Sequence, residues 1–242
     1  MIDLLKPSIF PNNIIAGVAT GYFSNSESFS YFETSNFNAH SVEIGRESLE
    51  SLFRDKIYRF HYQKQIHSDI ILIDKLQNNT LNSESDAIIS DIPGVLYNVS
   101  IADCQAILIY DSVNQAIAAV HSGWKGTSLN IVTKTIETMK NIYNTNTNDL
   151  LVYLSPSANV KNYEVGIEFI DIFPETTIKV EDKYYYDNKK EIIKQLLDSG
   201  VLKNNIESND DCTISKNRYH SFRRDKNKSG RMSAFIGISG LL

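Results

Sequence analysis

Apolar side chains recur at gaps of three and four residues in three stretches of the chain, and this spacing predicts helices. The most regular stripe predicts a helix over 129–143, in which the apolar residues are Leu129, Val132, Ile136, Met139 and Tyr143. A second helix is predicted over Asp187–Ser199, beginning at a capping residue and ending before Gly200. A third is predicted over Val42–Asp55, although Gly45 weakens its first turn.

Other apolar runs are continuous, with no polar residue in alternation, and these predict strands. The predicted strands are Ile70–Ile73, Val95–Val99, Ala106–Tyr110, Ala116–Val120, Leu150–Leu154 and Ala234–Ile238. Strands without a polar face belong to sheets that are covered on both sides. We therefore expect the α/β or mixed α+β class, with layered mixed sheets flanked by helices in one compact domain over 1–242. Asn-rich and Ser-rich patches at 78–85 and 144–148 are interpreted as surface connections.

Composition and charge exclude several classes of function. The chain has 242 residues, 42% of them hydrophobic, so it can bury a full core. Its net charge of -5 provides no positive field for nucleic acid, which favours a small-molecule ligand. Met1–Pro11 lacks the pattern of a secretory signal, and no run of eighteen apolar residues predicts a membrane span. We therefore expect a cytoplasmic protein; the sequence does not indicate whether subunits pair.

Three segments combine metal-binding side chains with the ends of predicted strands: Gln65–Ser68, Ala102–Gln105 and His121–Gly126. A catalytic zinc ion usually takes three nitrogen or sulfur ligands and keeps its fourth position open. His67, Cys104 and His121 would satisfy that requirement, but their separations of 37 and 17 residues are a weak signal by themselves. Cys104 could instead be a small buried apolar residue, which is the commoner role of a free cysteine, and the two histidines could be ordinary core or surface residues. The competing histidines are His40, His61 and His220.

Two glycines accompany the third segment, at positions 123 and 126. A strand that runs through a glycine turn into a helix presents free backbone N–H groups, which suit an anion. The alternative is a tight connection in which glycine is needed for a positive φ. Trp124, between these glycines, is interpreted as a packing residue.

Taken in order, the three segments resemble those of the laccase-domain family, also called multicopper polyphenol oxidoreductase-like or purine nucleoside phosphorylase proteins. Gln65-Ile66-His67 resembles the family's Asn-Gln-Val-His, and Ile101-Ala102-Asp103-Cys104 resembles its Thr-Ala-Asp-Cys. His121-Ser122-Gly123-Trp124-Lys125-Gly126 is similar to its His-Ala-Gly-Trp-Arg-Gly. Supporting matches are Ser85–Ala87, Tyr163–Gly166, Cys212–Thr213, Ser221–Asp225 and Gly230–Met232. The resemblance covers nearly the whole chain.

The resemblance implies a zinc ion held by His67, Cys104 and His121, with copper as the less favoured metal. It also implies phosphorolysis of adenosine, inosine and methylthioadenosine, with deamination of adenosine at the same site. The partners would then be a small nucleoside and phosphate. Arg46 lies in a segment similar to the family's Val-x-Glu-Asn-Arg and is our candidate for binding phosphate. A surface ion pair is the alternative for Arg46.

Other roles remain open for the same residues. Cys104 could be the nucleophile of an amidase that edits cell-wall precursors, with His121 as its base. The metal could instead be structural, with Cys212 as a fourth ligand, or it could be the copper of a polyphenol oxidase. Asp103 could orient a histidine or move protons. The basic residues Arg223, Arg224 and Arg231 are interpreted as a solvated charge run and left out of the predicted site.

Overall fold

The chain forms two large sheets, one small sheet and six helices within residues 2–24, 27–75 and 83–240, which this computed structural model describes. Strands β1 to β14 span, in chain order, Ile2–Leu5, Ile14–Phe23, Arg59–Tyr62, Ile71–Asp74, Ala87–Ser90, Val95–Ile101, Gln105–Asp111, Ala116–Ser122, Leu150–Leu154, Glu164–Val165, Thr177–Val180, Lys183–Tyr186, Ile206–Ser208 and Met232–Ile238. Helices α1 to α6 span Ala39–Glu50, Trp124–Ser128, Ile131–Tyr143, Phe169–Ile172, Asn188–Asp198 and Phe222–Asp225. Most of the predicted connection at 78–85 lies outside the described residues.

Both large sheets are mixed. The five-stranded sheet has the order β1-β2-β14-β6-β3, and the six-stranded sheet has the order β13-β9-β7-β8-β5-β4. Parallel neighbours occur at β3 and β6, at β4 and β5, and at β9 and β13, while the other pairs in these two sheets are antiparallel. The small sheet, β10-β12-β11, carries an aromatic cluster that includes Phe169, Phe173 and Tyr186.

The two large sheets pack face to face, and helices cover their outer faces. Leu108 and Tyr110 of β7 share one core cluster with Val99 and Ile236 of the five-stranded sheet. Ile107 and Ile109, the alternate residues of β7, point to the other face and pack with α3 and α5. The outer face of the five-stranded sheet packs against α1 and its neighbouring loops. This arrangement explains why the strands have no polar face, and it confirms the predicted layered α+β fold.

The three predicted helices exist, with shifted ends. α3 begins at Ile131, because Leu129 caps the preceding helix α2 and is partly exposed. α5 begins after Asp187, whose side chain accepts the Lys190 N–H, and the chain after it turns at Gly200 with a φ of +92°. Among the described residues, no helix combines the length and apolar character needed to cross a membrane.

The third helix, α1, is offset from the predicted 42–55. It begins three residues earlier, where Asn38 caps it by accepting the Ser41 N–H, and it ends at Glu50. Gly45 has a packing role in this helix, because a Cβ there would lie 2.7 Å from the Ser30 carbonyl oxygen and from the Phe29 ring. Glycine therefore lets α1 lie close to the segment that precedes it.

Candidate metal centre and its cavity

The side chains of His67, Cys104 and His121 converge, with one potential ligand atom from each lying within 4.8 Å of the other two. The topology explains how residues so far apart in sequence meet. The parallel neighbours β3 and β6 end at the same edge, where His67 and Cys104 follow them as the chain crosses to the other sheet. β7 starts directly after Cys104, and its antiparallel partner β8 ends beside it, with Gln105 opposite Ser122 and His121 next to that pair.

His67 is held in place through its backbone. Its φ of +59° lies in the left-handed region, which is uncommon for a residue other than glycine. The N–H groups of Ile66, His67 and Ser68 all donate to the carboxylate of Asp86, at 3.2, 3.1 and 2.6 Å, and the Ser68 hydroxyl donates to it at 2.8 Å. The buried anion thereby fixes the turn that carries the His67 ring.

Asp86 also orients His121. The Nδ1 of His121 lies 2.8 Å from Asp86 Oδ1, so Nδ1 carries the proton and Nε2 is left for a ligand. Burial would raise the pKa of Asp86, but hydrogen bonds from His121 and Ser68 lower it to about 2. Burial lowers the pKa of His121, but the thiolate charge of Cys104 and the Asp86 hydrogen bond outweigh it and raise the pKa. One carboxylate therefore positions both histidines.

Cys104 lies in a tight bend between β6 and β7, next to a cis peptide bond between Ala102 and Asp103. Burial would raise the pKa of its thiol, but His121 and His67 outweigh burial and lower the pKa to about 6. Space for the sulfur comes from Gly123, where a Cβ would lie 2.8 Å from the Cys104 Sγ. Gly123 has a φ of −78°, so its role is to make room and not to supply a positive φ.

A cavity of about 800 Å³ opens over the three side chains. One wall carries Gln65, whose amide pairs with the backbone of Ser100: Nε2 donates to the carbonyl at 2.9 Å, and Oε1 accepts the N–H at 2.5 Å. Another carries the buried Asn188, which accepts from the Thr127 hydroxyl at 2.8 Å and donates to the Ser122 carbonyl at 2.9 Å. Both amides are held by the fold, so the cavity has fixed polar walls.

Arg46 is not among the residues that line this cavity in the described part of the chain. Its guanidinium carbon lies 4.0 Å from the centre of the Tyr62 ring, and its Nε donates to the Tyr31 carbonyl at 3.0 Å. Phe32 does line the cavity, and the Arg46 guanidinium carbon lies 5.7 Å from the centre of its ring. Arg46 thus supports the wall from behind, and its predicted contact with phosphate stays a prediction.

The competing residues lie elsewhere. His40 is exposed on α1, His61 is buried within β3, and His220 is buried with Nε2 donating to the Phe29 carbonyl at 2.7 Å. Cys212 accepts hydrogen bonds from the Asn159 N–H and the Asn162 amide, at 3.3 and 3.4 Å. Neither Cys212 nor any of these histidines belongs to the one potential metal-binding group found in the described residues.

Sequence reasoning gave no role to residues on two segments that the structure places at the candidate site. Asp86 was recognised only as part of a family motif, because an acidic residue before an apolar run is not a signal for burial: Asp69 directly precedes Ile70–Ile73 and is partly exposed, whereas Asp86 is buried. Arg223 and Arg231, which the sequence analysis left out of the predicted site, line the cavity; Arg223 is exposed, as a solvated charge would be, and Arg231 is partly buried. Arg224 has a structural role, since it donates to Asp225 and to four backbone carbonyls.

Asp103 also lines the cavity, but its carboxylate turns toward the C-terminal segment. Its Oδ1 accepts the Thr213 hydroxyl at 2.6 Å, and its Oδ2 accepts the Arg223 N–H at 2.8 Å. The backbone carbonyl of Asp103 accepts the Ala158 N–H at 3.0 Å. The hydrogen-bond partners of Asp103 therefore tie the Cys104 bend to the segment that carries Arg223.

Fold and site together define a layered α+β protein with a candidate metal centre at the base of a small-molecule cavity. A family profile described as "Multi-copper polyphenol oxidoreductase laccase" matches residues 15–239. The chain belongs to this family, as its sequence motifs predict. A purine nucleoside phosphorylase of Clostridium acetobutylicum is 38% identical over 218 residues, covering 85% of this chain and 90% of the relative. The purine nucleoside phosphorylase YfiH of Escherichia coli is 30% identical over 184 residues, covering 72% of each chain.

Solved structures share the fold. The structure of the Bacillus licheniformis hypothetical protein YfiH matches with a TM-score of 0.87 at 22% identity, covering 94% of each chain. YlmD of Geobacillus stearothermophilus matches with a TM-score of 0.86 at 23% identity, covering 96% of this chain and 94% of that one. At this level of identity, the two structures support the architecture alone.

Proposed function

We propose that this protein is a zinc-dependent purine nucleoside phosphorylase acting on adenosine, inosine and methylthioadenosine, which also deaminates adenosine. The names of the curated relatives support the phosphorylase activity. The observation that carries the proposal is the convergence of His67, Cys104 and His121 under a cavity large enough for a nucleoside. The cytoplasmic location and the substrates, nucleoside and phosphate, belong to the same proposal.

The three donors fit a zinc ion. Two imidazole nitrogens and one thiolate are preferred zinc ligands, and one potential ligand atom from each side chain lies within 4.8 Å of the other two. Cys104 favours the thiolate that a metal requires, since its pKa is low. When bound, zinc with an open position supplies Lewis acidity, which activates water near neutral pH.

The protein's own residues would do the positioning. Asp86 keeps His121 in the tautomer with a free Nε2 and fixes the turn of His67. The amides of Gln65 and Asn188 give the cavity rigid polar walls against which a purine and its ribose can be oriented. Arg46 remains a candidate for the phosphate, at the wall formed by Phe32.

The test combines metal analysis with product analysis. Elemental analysis of dialysed protein is expected to give one zinc per chain. Chromatography of adenosine incubated with the protein is expected to give free adenine only when phosphate is present, and inosine with or without phosphate. Protein that is loaded with metal and inert toward all three nucleosides would overturn the proposal.

One observation favours a second candidate function, an amidase that uses Cys104 as its nucleophile. The low pKa of Cys104, next to a histidine oriented by Asp86, is the arrangement of a cysteine, histidine and carboxylate triad. Rapid alkylation of active, metal-free protein would support the amidase. Copper in the elemental analysis would instead favour the polyphenol oxidase that the family description suggests.

A further inference from the structure

The C-terminal segment brings four arginines close together in sequence, and they use their donors differently. A guanidinium group has five N–H donors, and its Nε–Nη2 edge matches the two oxygens of a carboxylate or phosphate. Arg224 uses this edge on Asp225, with Nε and Nη2 at 2.9 and 2.7 Å from the two carboxylate oxygens. Arg218 uses the same edge on Asp3.

Arg223 and Arg231 are held by the opposite end of the guanidinium group. The Nη1 of Arg223 donates to the Glu164 carbonyl at 3.0 Å, and the Nη1 of Arg231 donates to the carbonyls of Ser229 and Gly230 at 3.2 and 2.9 Å. Throughout the described residues, neither arginine forms a salt bridge, and neither donates from Nε or Nη2 to the protein. The edge suited to an oxyanion is therefore available in both.

Aromatic rings fix the planes of the two groups. The guanidinium carbon of Arg223 lies 5.3 Å from the centre of the Tyr163 ring, and that of Arg231 lies 5.6 Å from the centre of the Phe222 ring. All four residues line the cavity that opens over Cys104. Two preoriented cations without carboxylate partners thus face the space next to the candidate metal centre.

Burial adds a reason to expect an anion. Arg231 is partly buried, and desolvation lowers its pKa, although the negative charges of Cys104 and Asp103 act in the opposite direction. Glu33 and Asp103 also line the cavity, but the two carboxylate oxygens of Asp103 already accept hydrogen bonds from Thr213 and the Arg223 backbone. A bound oxyanion would compensate the desolvation of the arginine charge.

We infer that Arg223 and Arg231 together bind the inorganic phosphate that attacks the nucleoside. This inference rests on the proposed phosphorylase function. In the reaction, a phosphate oxygen forms a bond to the anomeric carbon of the ribose while the bond from that carbon to the purine nitrogen breaks. The electron pair leaves with the purine, which takes up a proton from solvent, and the products are ribose 1-phosphate and the free base. The arginines hold the attacking dianion and take no part in bond breaking.

The test is the affinity for inorganic phosphate of the zinc-loaded protein, measured by isothermal titration calorimetry. Arg223→Gln and Arg231→Gln are each expected to weaken phosphate binding about tenfold or more, since each removes a charged, forked donor. Arg223→Lys should lie between wild type and Arg223→Gln, because lysine keeps the charge and loses the fork. The matched control is Arg54→Gln, which removes an exposed arginine outside the cavity and should leave the affinity unchanged.

Kinetics separate this inference from the proposed function. Both glutamine variants should raise the KM for phosphate and leave the KM for the nucleoside nearly unchanged. Phosphorolysis with an unaltered phosphate KM in both variants would overturn the inference and leave the phosphorylase function standing. If the protein binds phosphate through these arginines but cleaves no nucleoside, the proposed phosphorylase function is refuted and the phosphate-binding site stands.

Two further outcomes would overturn the inference. One is a loss of phosphate affinity in Arg46→Lys but in neither cavity variant, which would assign the anion to the position predicted from sequence. The other outcome concerns whether the bound phosphate is inorganic phosphate or the phosphate group of a nucleotide, and its probe is inosine 5′-monophosphate. If that ester binds through Arg223 and Arg231 while inorganic phosphate does not, the two arginines recognise a nucleotide.

Discussion

Two buried carboxylates lie at opposite ends of one parallel strand pair, and only one of them belongs to the candidate metal centre. Asp86 directly precedes β5, and Asp74 is the last residue of β4, where it is aligned with Ser90 at the end of β5. Each has a histidine nearby. The Asp86 carboxylate accepts from His121 and from the turn of His67, whereas Asp74 accepts from Arg59 and, at 2.8 Å, from the Tyr97 hydroxyl.

The difference between these regions lies in what surrounds the carboxylate. Around Asp74 the arginine supplies the opposite charge, and His61 packs against the Tyr97 ring with a centroid distance of 5.9 Å. Around Asp86 the positive partner is a histidine whose free nitrogen faces a thiol and a cavity. A buried acid near a histidine is therefore insufficient to indicate a metal site. Converging nitrogen and sulfur donors under an open cavity provide the further evidence.

The largest expected effect follows from removing the sulfur. Cys104→Ser should reduce bound zinc to background and abolish purine release, because the candidate centre loses its thiolate. Thermal unfolding and circular dichroism check that the fold is kept. The matched control is Cys212→Ser, which changes the other thiol and should retain equimolar metal. Zinc bound at wild-type stoichiometry in the Cys104 variant would contradict the assignment.

Exchanging the two acids for amides sharpens the comparison directly. Asp86→Asn replaces one of the accepting oxygens by an N–H₂ group, so the donors of His67, Ser68 and His121 can no longer all be paired. Because both candidate ligands lose their positioning partner, the zinc affinity should fall about 10–100-fold in a competition with a chelator. Ser68→Ala, which removes one donor to Asp86, is the milder variant if the amide fails to fold.

Asp74→Asn should behave in the opposite way. This substitution should lower the unfolding free energy by about 3 kcal/mol, because it removes the charged partner of Arg59. The value is at the low end for a buried ion pair because 29% of the Arg59 side chain is exposed. Metal affinity should stay at the wild-type value. Equal losses of zinc affinity in both acid variants would contradict the separation of the two regions.

Two glycines provide a subtler test of the space around the sulfur. Gly123→Ala places a methyl group 2.8 Å from the Cys104 Sγ, so we expect about tenfold weaker zinc binding with little change in stability. Gly126→Ala is the matched control, since its Cβ would meet its nearest neighbours at 3.4 Å, close to ordinary contact. The zinc affinity of both variants can be measured by competition with a chelator. An unchanged affinity in Gly123→Ala would show that the sulfur does not need the space that glycine leaves.

The smallest expected effect is a pH dependence of stability in the Asp74 region. Burial lowers the pKa of His61 below its usual 6.5, with Asp74 opposing and Arg59 reinforcing the shift. The unfolded chain therefore binds a proton at His61 that the folded chain resists, and the unfolding free energy should fall as the pH drops below about 6.5, with His61 contributing at most about 1.4 kcal/mol per pH unit.

His61→Gln should flatten part of that slope, leaving the part due to His220, whose pKa burial also lowers. Denaturant unfolding of both proteins between pH 5 and 8 provides the measurement. If the unfolding free energy of both proteins had the same dependence on pH, His61 would take up its proton equally well in the folded and unfolded states, which would contradict the prediction.

The sequence predicts the elements whose apolar pattern is strong. α3, α5 and the central strands β6 to β9 were predicted because their side chains are buried on the faces that the spacing indicates. Strand β2 was missed, because Gly17 and Gly21 interrupt its pattern. The hairpin β11–β12 was missed because its exposed lysines and tyrosines do not mark a core strand.

For the site, the sequence indicates which residues could bind a metal, and the resemblance selects among them. The sequence does not indicate that the Asp86 carboxylate contacts both the His67 backbone and the His121 ring. These contacts depend on segments that are distant in sequence and meet only in the folded protein. Arg223 and Arg224 are neighbours in sequence with different roles, because a short helix turns one toward the cavity and the other toward Asp225. Only tertiary structure separates them.

Zinc-edge X-ray absorption spectroscopy of the purified protein is the most direct test of the central claim, that one ion is bound by these three side chains. We predict one sulfur at about 2.3 Å and two imidazole nitrogens at about 2.0–2.1 Å, and loss of the sulfur contribution in Cys104→Ser. A first coordination shell without sulfur, or with two sulfurs, would contradict the account.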